Sequence, residues 1–316
     1  MKVVITGIAG FLGSHLAKAL ADAGYDVWGI DNFSTGKASN LEGLPRTAFL
    51  QADVSGLWPR EVKHLKNVTA VFHLASPASP EQFPTLPLSI LRANGLGTFQ
   101  AAALADARRA HFILASSSEV YGQPQEHPQK ESYAGCVNPV SARGCYDEGK
   151  RFAEAVAMGF FRQVSLKVSI VRIHNTYGPR MPDDGRLVPT LVRQALRGEP
   201  LTVHGDGHQT RSLTYVDDMV AGLMAVLEYR WAGPGSHGAG VGVINLGSPQ
   251  EVTVLHVAQT INRLAGGRSE LRFVPGRLDD PVRRCPDISR ARQLLKWEPH
   301  VPLEDGLART IAWYKK

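Results

Sequence analysis

Short apolar runs alternate with longer amphipathic stretches through the first half of the chain, and this alternation limits the fold more than any other feature. The apolar runs have strand length and are rich in β-branched residues; they span residues 2–6, 26–30, 47–52, 69–75, 111–117 and 167–173. Helical periodicity lies between them, for example over residues 11–23 and 89–107. Apolar strands separated by helices are typical of a parallel sheet that is covered on both faces. We therefore predict an α/β fold with a doubly wound parallel sheet.

The second half of the chain has shorter predicted elements and longer loops. Helical periodicity returns over residues 188–196, 216–228 and 303–315. We predict that residues 1–178 form the sheet domain and that residues 179–316 form mainly a smaller C-terminal α/β lobe, with residues from about 205–245 returning to the first domain. The Gly-rich stretch at 232–242 predicts a mobile surface insertion.

Composition and charge exclude several classes of protein. The chain has 316 residues, of which 43% are hydrophobic, and this is enough for a substantial core. No uncharged run approaches the roughly 20 apolar residues that span a bilayer. Because Lys2, His15 and Lys18 interrupt the N-terminal segment, we interpret it as mature sequence and expect a cytoplasmic location. The net charge is +6, but the basic residues form no single stripe with aromatics, so we expect no nucleic-acid partner.

The spacing of cysteine and histidine argues against a metal site. The three cysteines, Cys136, Cys145 and Cys285, are odd in number and show no CxxC spacing, which also argues against a disulfide framework. His204 and His208 are four residues apart, but the intervening GDG makes a helical turn unfavourable. We predict free thiols in a reducing compartment and no metal.

Three glycines follow the first predicted strand and begin the first predicted helix. Gly7, Gly10 and Gly13 have a GxxGxxG spacing, which lets backbone amides and a helix N-terminus approach a pyrophosphate. A tight strand-to-helix turn without a ligand is the alternative. The second strand ends at Asp31, where a carboxylate accepts hydrogen bonds from an adenosine ribose and repels a 2′-phosphate. Together these residues predict a Rossmann-like domain that binds NAD in preference to NADP.

A tyrosine and a lysine share one face of a predicted helix. Tyr146 and Lys150 are four residues apart in CYDEGKR. An ammonium beside a phenol stabilises the phenolate and lowers its pKa from about 10 toward neutrality, which makes the phenolate a base for an alcohol proton. A surface pair is the usual alternative, because YxxxK is common by chance. Ser117 ends the fifth strand and supplies a hydroxyl for the same alcohol, so the three residues predict hydride transfer between a sugar or secondary alcohol and NAD.

These motifs resemble those of extended short-chain dehydrogenases/reductases that act on nucleotide sugars, the NAD-dependent epimerase/dehydratase family. The resemblance covers the whole chain and is strongest to the UDP-glucuronate decarboxylases, also called UDP-xylose synthases. Two motifs discriminate best: HLASPASP at 73–80 and SEVYG at 118–122. The other matching motifs are DNFSTG (31–36), HPQ (127–129), CYDEGKR (145–151), NTYGPRM (175–181), GEPLTVHGDGHQTRSLTYV (198–216), DDP (279–281), PDI (286–288) and WEP (297–299).

The resemblance assigns binding roles to individual residues. It implies that residues 1–178 bind NAD and that 179–316 bind mainly the UDP-sugar. The implied NAD contacts are Gly7, Gly10, Phe11, Leu12, Gly13, Asp31, Asn32, Phe33, Thr35, Gly36, Asp53, Val54, Leu74, Ser76, Tyr146, Lys150, Thr176 and Arg186. The implied UDP-glucuronate contacts are Ser79, Arg92, Ser118, Glu119, Asn175, Arg211 and Arg284. Asp53 has an alternative reading as a solvated turn residue.

The resemblance also implies a reaction. NAD oxidises C4 of UDP-glucuronate, the 4-keto sugar loses its C6 carboxylate as CO₂, and the retained NADH reduces C4 to give UDP-xylose, so that NAD is regenerated. Tyr146 is the implied base, supported by Lys150 and assisted by Ser117.

Two charged residues complete the implied catalytic set. Glu119 either repels the substrate carboxylate or orders a water for protonation at C5; a capping or network role is its alternative. Arg284 matches the arginine that faces the sugar carboxylate, where a guanidinium binds that group and stabilises enolate charge. Its neighbour Arg283 is the alternative by one residue.

Three alternative functions predict different residues at these positions. A 4-epimerase acting on UDP-glucuronate or UDP-glucose usually lacks this glutamate and arginine, and a 4,6-dehydratase carries aspartate where this chain has Ser118. A catalytically silent NAD(H)-binding protein predicts a broken YxxxK pair or serine, and both are intact. Family members commonly pair through two helices per subunit, so the resemblance implies a homodimer.

Overall fold

The structure is a computed structural model, which describes residues 1–58, 60–229, 241–276 and 283–316. The Gly-rich insertion predicted at 232–242 lies outside these ranges except for its last two residues, and the DDP motif at 279–281 lies outside them entirely.

A central parallel sheet of seven strands organises the described residues. Its strands are β1 (Lys2–Thr6), β2 (Asp26–Asp31), β3 (Thr47–Gln51), β4 (Val68–His73), β5 (His111–Ser117), β6 (Val168–Ile173) and, numbered by its place in the chain, β11 (Val241–Leu246). Their spatial order is β11-β6-β5-β4-β1-β2-β3, and each neighbouring pair is parallel. The predicted α/β fold with a doubly wound sheet is confirmed.

Six further strands form three small pairs outside the central sheet. They are β7 (Thr176–Tyr177) with β10 (Thr214–Tyr215), β8 (Leu201–His204) with β13 (Leu271–Val274), and β9 (Thr210–Ser212) with β12 (Glu251–Thr253). The first two pairs are parallel and the third is antiparallel. All six strands lie between Thr176 and Val274.

The predicted helices are present, with others beside them. The helices are α1 (Phe11–Asp22), α2 (Arg60–Lys63), α3 (Pro87–Arg92), α4 (Thr98–Ala107), α5 (Gly144–Val164), α6 (Leu187–Arg197), α7 (Val216–Glu228), α8 (Val254–Ala265), α9 (Ser289–Leu295) and α10 (Leu303–Tyr314). Of these, α2, α8 and α9 are additional to the predicted helices. A π-helical turn at Ala93–Gly97 joins α3 to α4. In the part of the chain that is described, no helix has both the length and the apolar character to cross a membrane.

Successive residues of the central strands belong to two different apolar clusters, one on each face of the sheet. In β1, Val3 and Ile5 pack with Leu16 of α1, whereas Val4 packs with Phe112 of β5 in the other cluster. Side chains alternate along a strand, so a strand that is apolar throughout needs a covering layer on both faces.

The strand order reverses at β1, and this positions the site. From β1 the chain builds β2 and β3 on one side and then returns to place β4 on the other. The connections that leave the carboxyl ends of β1 and β4 therefore run in opposite directions and leave a crevice, where open α/β sheets bind their ligands.

Candidate active site

The glycine turn after β1 is closed to side chains. A Cβ atom on Gly13 would lie 2.0 Å from the carbonyl oxygen of Gly7, and one on Gly7 would lie 2.9 Å from the backbone of Ala75. Gly7 also has a φ of +75°, in the region that favours glycine. The first turn of α1 therefore approaches β1 and β4 as bare backbone, with its amides toward the crevice.

Asp31, at the end of β2, holds the glycine turn in place. Its carboxylate accepts hydrogen bonds from the amides of Ala9 (2.9 Å) and Phe33 (2.8 Å). Burial raises the pKa of this carboxyl, and the backbone hydrogen bonds oppose that rise. Beside it, Asn32 donates to Asp53 (3.0 Å), and hydrogen bonding from the Ser55 hydroxyl lowers the pKa of Asp53.

A cavity of about 430 Å³ leads from the glycine turn to the second half of the chain. It is lined by all five predicted catalytic residues and by most of the predicted binding residues. Besides Tyr146, Lys150, Glu119 and Arg284, which are also in the catalytic set, the predicted binding residues that line it are Gly7, Gly10, Phe11, Leu12, Gly13, Thr35, Leu74, Ser76, Ser118, Asn175, Thr176, Arg186 and Arg211.

Eight predicted binding residues lie outside that lining. They are Asp31, Asn32, Phe33, Gly36, Asp53, Val54, Ser79 and Arg92. The hydroxyl of Ser79 caps a 3₁₀ turn and donates to the carbonyl oxygen of Asp184, which gives it a structural use. After the Ser55 hydroxyl, the charge of Arg92 is a smaller contribution to the low pKa of Asp53; the sugar contact of Arg92 stays a prediction.

Tyr146 lies in the first turn of α5 and is almost fully buried. Its ring stacks on Phe83, with centroids 5.1 Å apart. One turn later, Lys150 Nζ donates to the carbonyl oxygen of Ala115 (2.9 Å) and lies 5.7 Å from the Tyr146 ring centroid. The structure therefore brings the pair together with Ser117 at the end of β5, as their spacing predicts.

The pKa of Tyr146 differs from the prediction. Burial raises it to about 12, and a hydrogen bond with the Ser117 hydroxyl opposes the rise only in part. Burial also lowers the pKa of Lys150 to about 8. In the chain by itself the tyrosine pKa is therefore raised and not lowered, because burial removes the hydration of the phenolate.

Glu119 is clamped between two arginines. It lies in a 3₁₀ turn, Ser118–Tyr121, directly after β5. Arg284 donates to its two carboxylate oxygens (2.5 and 2.8 Å), and Arg143 donates to Oε2. Burial by itself would raise the pKa of Glu119, but the two guanidinium charges outweigh burial and hold that pKa below its usual value. Glu119 is therefore ionised.

Two residues of this cluster were missed by sequence reasoning. Arg143 precedes α5 and lines the cavity. Asp147 lies one turn later, with Oδ2 3.7 Å from Arg143 Nε. Burial first, and then the charge of Glu119, raise the pKa of Asp147 to about 7. The i,i+4 spacing of an arginine and an aspartate around Tyr146 was the available signal.

A cluster of three possible ligands lies next to Arg284. Within the described ranges, His127, Glu251 and Cys285 place one ligand atom each within 4.8 Å of one another. Arg283 donates to Glu251 Oε2 (2.9 Å) and lies 2.7 Å from His127 Nε2, so a guanidinium already bridges two of the three. The absence of a metal stays a prediction.

The residues present fit a bound dinucleotide. The glycine turn has no room for a Cβ atom, the N-terminus of α1 faces the cavity, and a buried carboxylate stands at the end of β2. Tyr146, Lys150 and Ser117 lie on the same cavity. Fold and site together define a Rossmann-type enzyme that binds a dinucleotide and resembles the short-chain dehydrogenases/reductases.

Comparison with known proteins places the chain in a family. Residues 3–247 match the model of the NAD dependent epimerase/dehydratase family, and the chain belongs to that family. It is 44% identical to UDP-glucuronic acid decarboxylase 1 of Arabidopsis thaliana over 319 residues, which covers 100% of this chain and 70% of the relative. The resemblance stated from the motifs is thus confirmed, and the chain is an NAD-dependent enzyme of this family.

Solved structures give the same result for the fold. A UDP-glucose 4-epimerase from Thermotoga maritima, with UDP-glucose, has a TM-score of 0.89 at 28% identity and covers 100% of this chain and 99% of its own. A UDP-glucuronic acid 4-epimerase from Bacillus cereus, in complex with UDP-glucuronic acid and NAD, has a TM-score of 0.86 at 30% identity with the same coverage. NAD as the cofactor is confirmed.

Proposed function

We propose that the enzyme converts UDP-glucuronate to UDP-xylose and CO₂ through a UDP-4-keto intermediate, with NAD regenerated in each cycle. The observation that carries this proposal is the clamp of Arg143 and Arg284 around Glu119, directly beside Tyr146 and Ser117. The full-length similarity to UDP-glucuronic acid decarboxylases supports it.

The first step is removal of a hydride and a proton at C4. NAD, held by the glycine turn and Asp31, would supply the hydride acceptor for C4 and the hydride for the final reduction. Tyr146 takes the proton from the C4 hydroxyl, and the Ser117 hydroxyl aligns that group. Lys150 holds a positive charge 5.7 Å from the tyrosine ring, where it stabilises the phenolate as it forms. Because burial alone raises the pKa of Tyr146, this stabilisation is needed for the tyrosine to act as a base.

The second step is loss of the carboxylate. The C5–C6 bond breaks, CO₂ leaves, and the electron pair moves into the C4 ketone as an enolate. Two guanidiniums balance two carboxylates, those of Glu119 and of the substrate, so the clamp accepts a second anion without excess charge. Arg284, which is 5% exposed, stabilises the enolate in a site with little water. The ionised Glu119 repels the departing carboxylate or orders the water that protonates C5.

Binding roles follow from the cavity lining. NAD contacts are assigned to residues 1–178 and to Arg186, and UDP contacts mainly to residues 179–316. Arg211 of β9 and Thr202 and His204 of β8 support the second assignment, because they line the same cavity. Arg211 presents a fork suited to a diphosphate.

Incubation with UDP-glucuronate tests the proposal. The sugar is followed by NMR and CO₂ is trapped, with and without added NAD⁺, and with Tyr146→Phe as the inactive control. We expect UDP-xylose with one CO₂ per turnover and no net NADH. Absence of CO₂ would contradict the proposal.

A 4-epimerase is the second candidate, because both solved structures described above are 4-epimerases with TM-scores of 0.86 and 0.89. UDP-galacturonate formed without CO₂ would establish it. A silent NAD(H)-binding protein would give neither product while retaining the cofactor.

We also propose a homodimer that pairs through α4 and α5. Their outer faces carry exposed apolar residues in mutual contact: Phe99 is 47% exposed, Phe152 is 52% exposed, and their ring centroids lie 6.4 Å apart. Leu96, 54% exposed, adjoins them. Light scattering after size exclusion should give twice the chain mass, and Phe152→Glu should give monomers. A monomeric wild type would refute this arrangement.

A cytoplasmic location is our further proposal. The three cysteines are free thiols in the structure, and free thiols fit a reducing compartment. Cell fractionation tests it.

A further inference from the structure

The Asp147 carboxyl is a buried acidic group to which the mechanism above gives no role. It is 5% exposed, and within the described part of the chain its Oδ1 atom has no hydrogen-bond partner. Its other oxygen lies 3.7 Å from Arg143 Nε, too far for a hydrogen bond but close enough for charge attraction. A buried carboxyl with an unsatisfied oxygen is unfavourable, so its place beside the clamp calls for an explanation.

Arg143 lies between two carboxyl groups. One end of its guanidinium, Nη2, donates to Glu119, and Nε faces Asp147 on the same helix, one turn away. A small rotation of the side chain would strengthen one contact at the expense of the other. Arg284 has no such choice, because both ends of its fork are bonded to Glu119.

We propose that Asp147 is a positioning residue that competes with Glu119 and with the substrate carboxylate for the guanidinium of Arg143. When Asp147 is neutral, Arg143 stays on Glu119 and on the incoming carboxylate. When Asp147 is ionised, it draws Arg143 away and adds a third negative charge to a clamp that has two positive ones. The competition requires a carboxylate-bearing ligand and therefore rests on the proposed function.

The surrounding charges allow this competition near neutral pH. Burial, followed by the charge of Glu119, raises the pKa of Asp147 to about 7, and the two arginines oppose that rise. The other titratable groups that influence or are influenced by Asp147 are Glu148, Tyr146 and Cys145, all on α5. Tyr146 and Cys145 have raised pKa values and stay neutral near pH 7. Asp147 therefore changes charge between pH 6 and 8.5. Lys150, three residues further along α5, has a pKa that burial lowers to about 8, so it titrates in the same range and is separated from Asp147 by the variants below.

The expected signature is affinity that depends on pH only for a ligand with a carboxylate. Binding is measured by calorimetry in the Tyr146→Phe background, which prevents turnover. We expect the Kd of UDP-glucuronate to rise about 3- to 10-fold from pH 6 to pH 8.5, because ionisation of one coupled group is linked to binding. UDP-xylose has the same diphosphate without the carboxylate, so its Kd should change little.

Two variants separate Asp147 from its neighbours. Asp147→Asn keeps the shape and removes the charge, and it should abolish the pH-dependent rise for UDP-glucuronate. Glu148→Gln is the matched control on the same helix, because Glu148 is 37% exposed and pairs with Arg151; it should keep the rise. In an Arg143→Gln background, Asp147→Asn should have no further effect, since the competition acts through Arg143.

The outcomes distinguish the two proposals. A rise that survives in Asp147→Asn, or one that appears equally with UDP-xylose, would overturn the role of Asp147 even if the wild type releases CO₂. If the wild type binds UDP-glucuronate with the expected pH pattern but releases no CO₂, the proposed decarboxylase activity is overturned and the proposed role of Asp147 stands. No binding of UDP-glucuronate at any pH would overturn both.

Discussion

The two ends of the cavity differ in their lining: one is lined by backbone and the other by charged side chains. The end at Gly7–Gly13 is made of backbone from one short segment, and Asp31 is the carboxylate that orders it. The other end is made of charged side chains from three separate segments. Its central pair, Glu119 and Arg284, joins residues 165 positions apart.

This difference predicts two kinds of mutational effect. At the backbone end, any added atom collides with fixed main chain, so substitutions should reduce cofactor binding and stability together. At the charged end, side chains can be exchanged without disturbing the main chain, so substitutions should reduce turnover while NAD stays bound. Tyr146 lies between the ends and should belong to the second kind.

The largest effect is expected for Tyr146→Phe. Removing the hydroxyl eliminates the base, and CO₂ release should fall about 10³-fold. NAD content, measured by absorbance after denaturation, should be unchanged because the ring and its stacking on Phe83 remain. Loss of NAD would show that Tyr146 contributes to cofactor binding, as the glycine turn does, and would contradict the division between the two ends.

Arg284→Ala should slow CO₂ release by about 10²-fold, because it removes a buried charge from the developing enolate. Bound NAD should again be unchanged. The control is Arg283→Ala, which removes the adjacent but 56% exposed guanidinium and should alter turnover little. If Arg283→Ala proved the slower enzyme, the assignment would move by one residue.

At the other end, Gly13→Ala should weaken NAD binding roughly 10-fold and lower the melting temperature, because the new Cβ would lie 2.0 Å from the carbonyl oxygen of Gly7. Gly276→Ala is the matched control; no atom lies within 4 Å of its new Cβ, and it should be neutral or slightly stabilising. Fluorescence titration with NADH and thermal melts measure both effects. Unchanged NADH affinity in Gly13→Ala would contradict a backbone-built site.

The smallest effect is expected for Asp147→Asn on stability. The pKa of this carboxyl is raised in the folded chain, to about 7, so its favourable contribution is complete below about pH 4 and is lost as the pH rises through 7. At pH 8 the variant should therefore melt about 2 °C higher than the wild type, with no gain at pH 4. A gain at both values would indicate a packing effect.

Much of the fold was predictable because its signals are local. Each central strand up to β6 was recognisable as an apolar run, and the helix that carries Tyr146 and Lys150 brought the pair together by its period alone. The glycine turn was predictable for the same reason, since a strand, three glycines and a helix are consecutive in the chain. By contrast, β11 joins the sheet from 68 residues beyond the end of its partner β6, counted from residue 173 to residue 241.

The charged end was predicted only in part, and mainly by resemblance. Glu119 and Arg284 were assigned from motifs, but their direct pairing was not foreseen. The hydrogen bond from the Ser79 hydroxyl to the carbonyl oxygen of Asp184, 105 residues away in the chain, was equally hidden. Such contacts depend on which loops meet, and sequence periodicity does not record that.

The sequence by itself therefore determined the layers, the glycine turn and the pairing of Tyr146 with Lys150, because these depend on spacing along one strand or helix. Tertiary structure decided the charges. Whether Glu119 is ionised, whether Tyr146 is a weak acid and whether Asp147 titrates near neutrality depend on how much water burial removes and which arginines arrive from elsewhere in the chain.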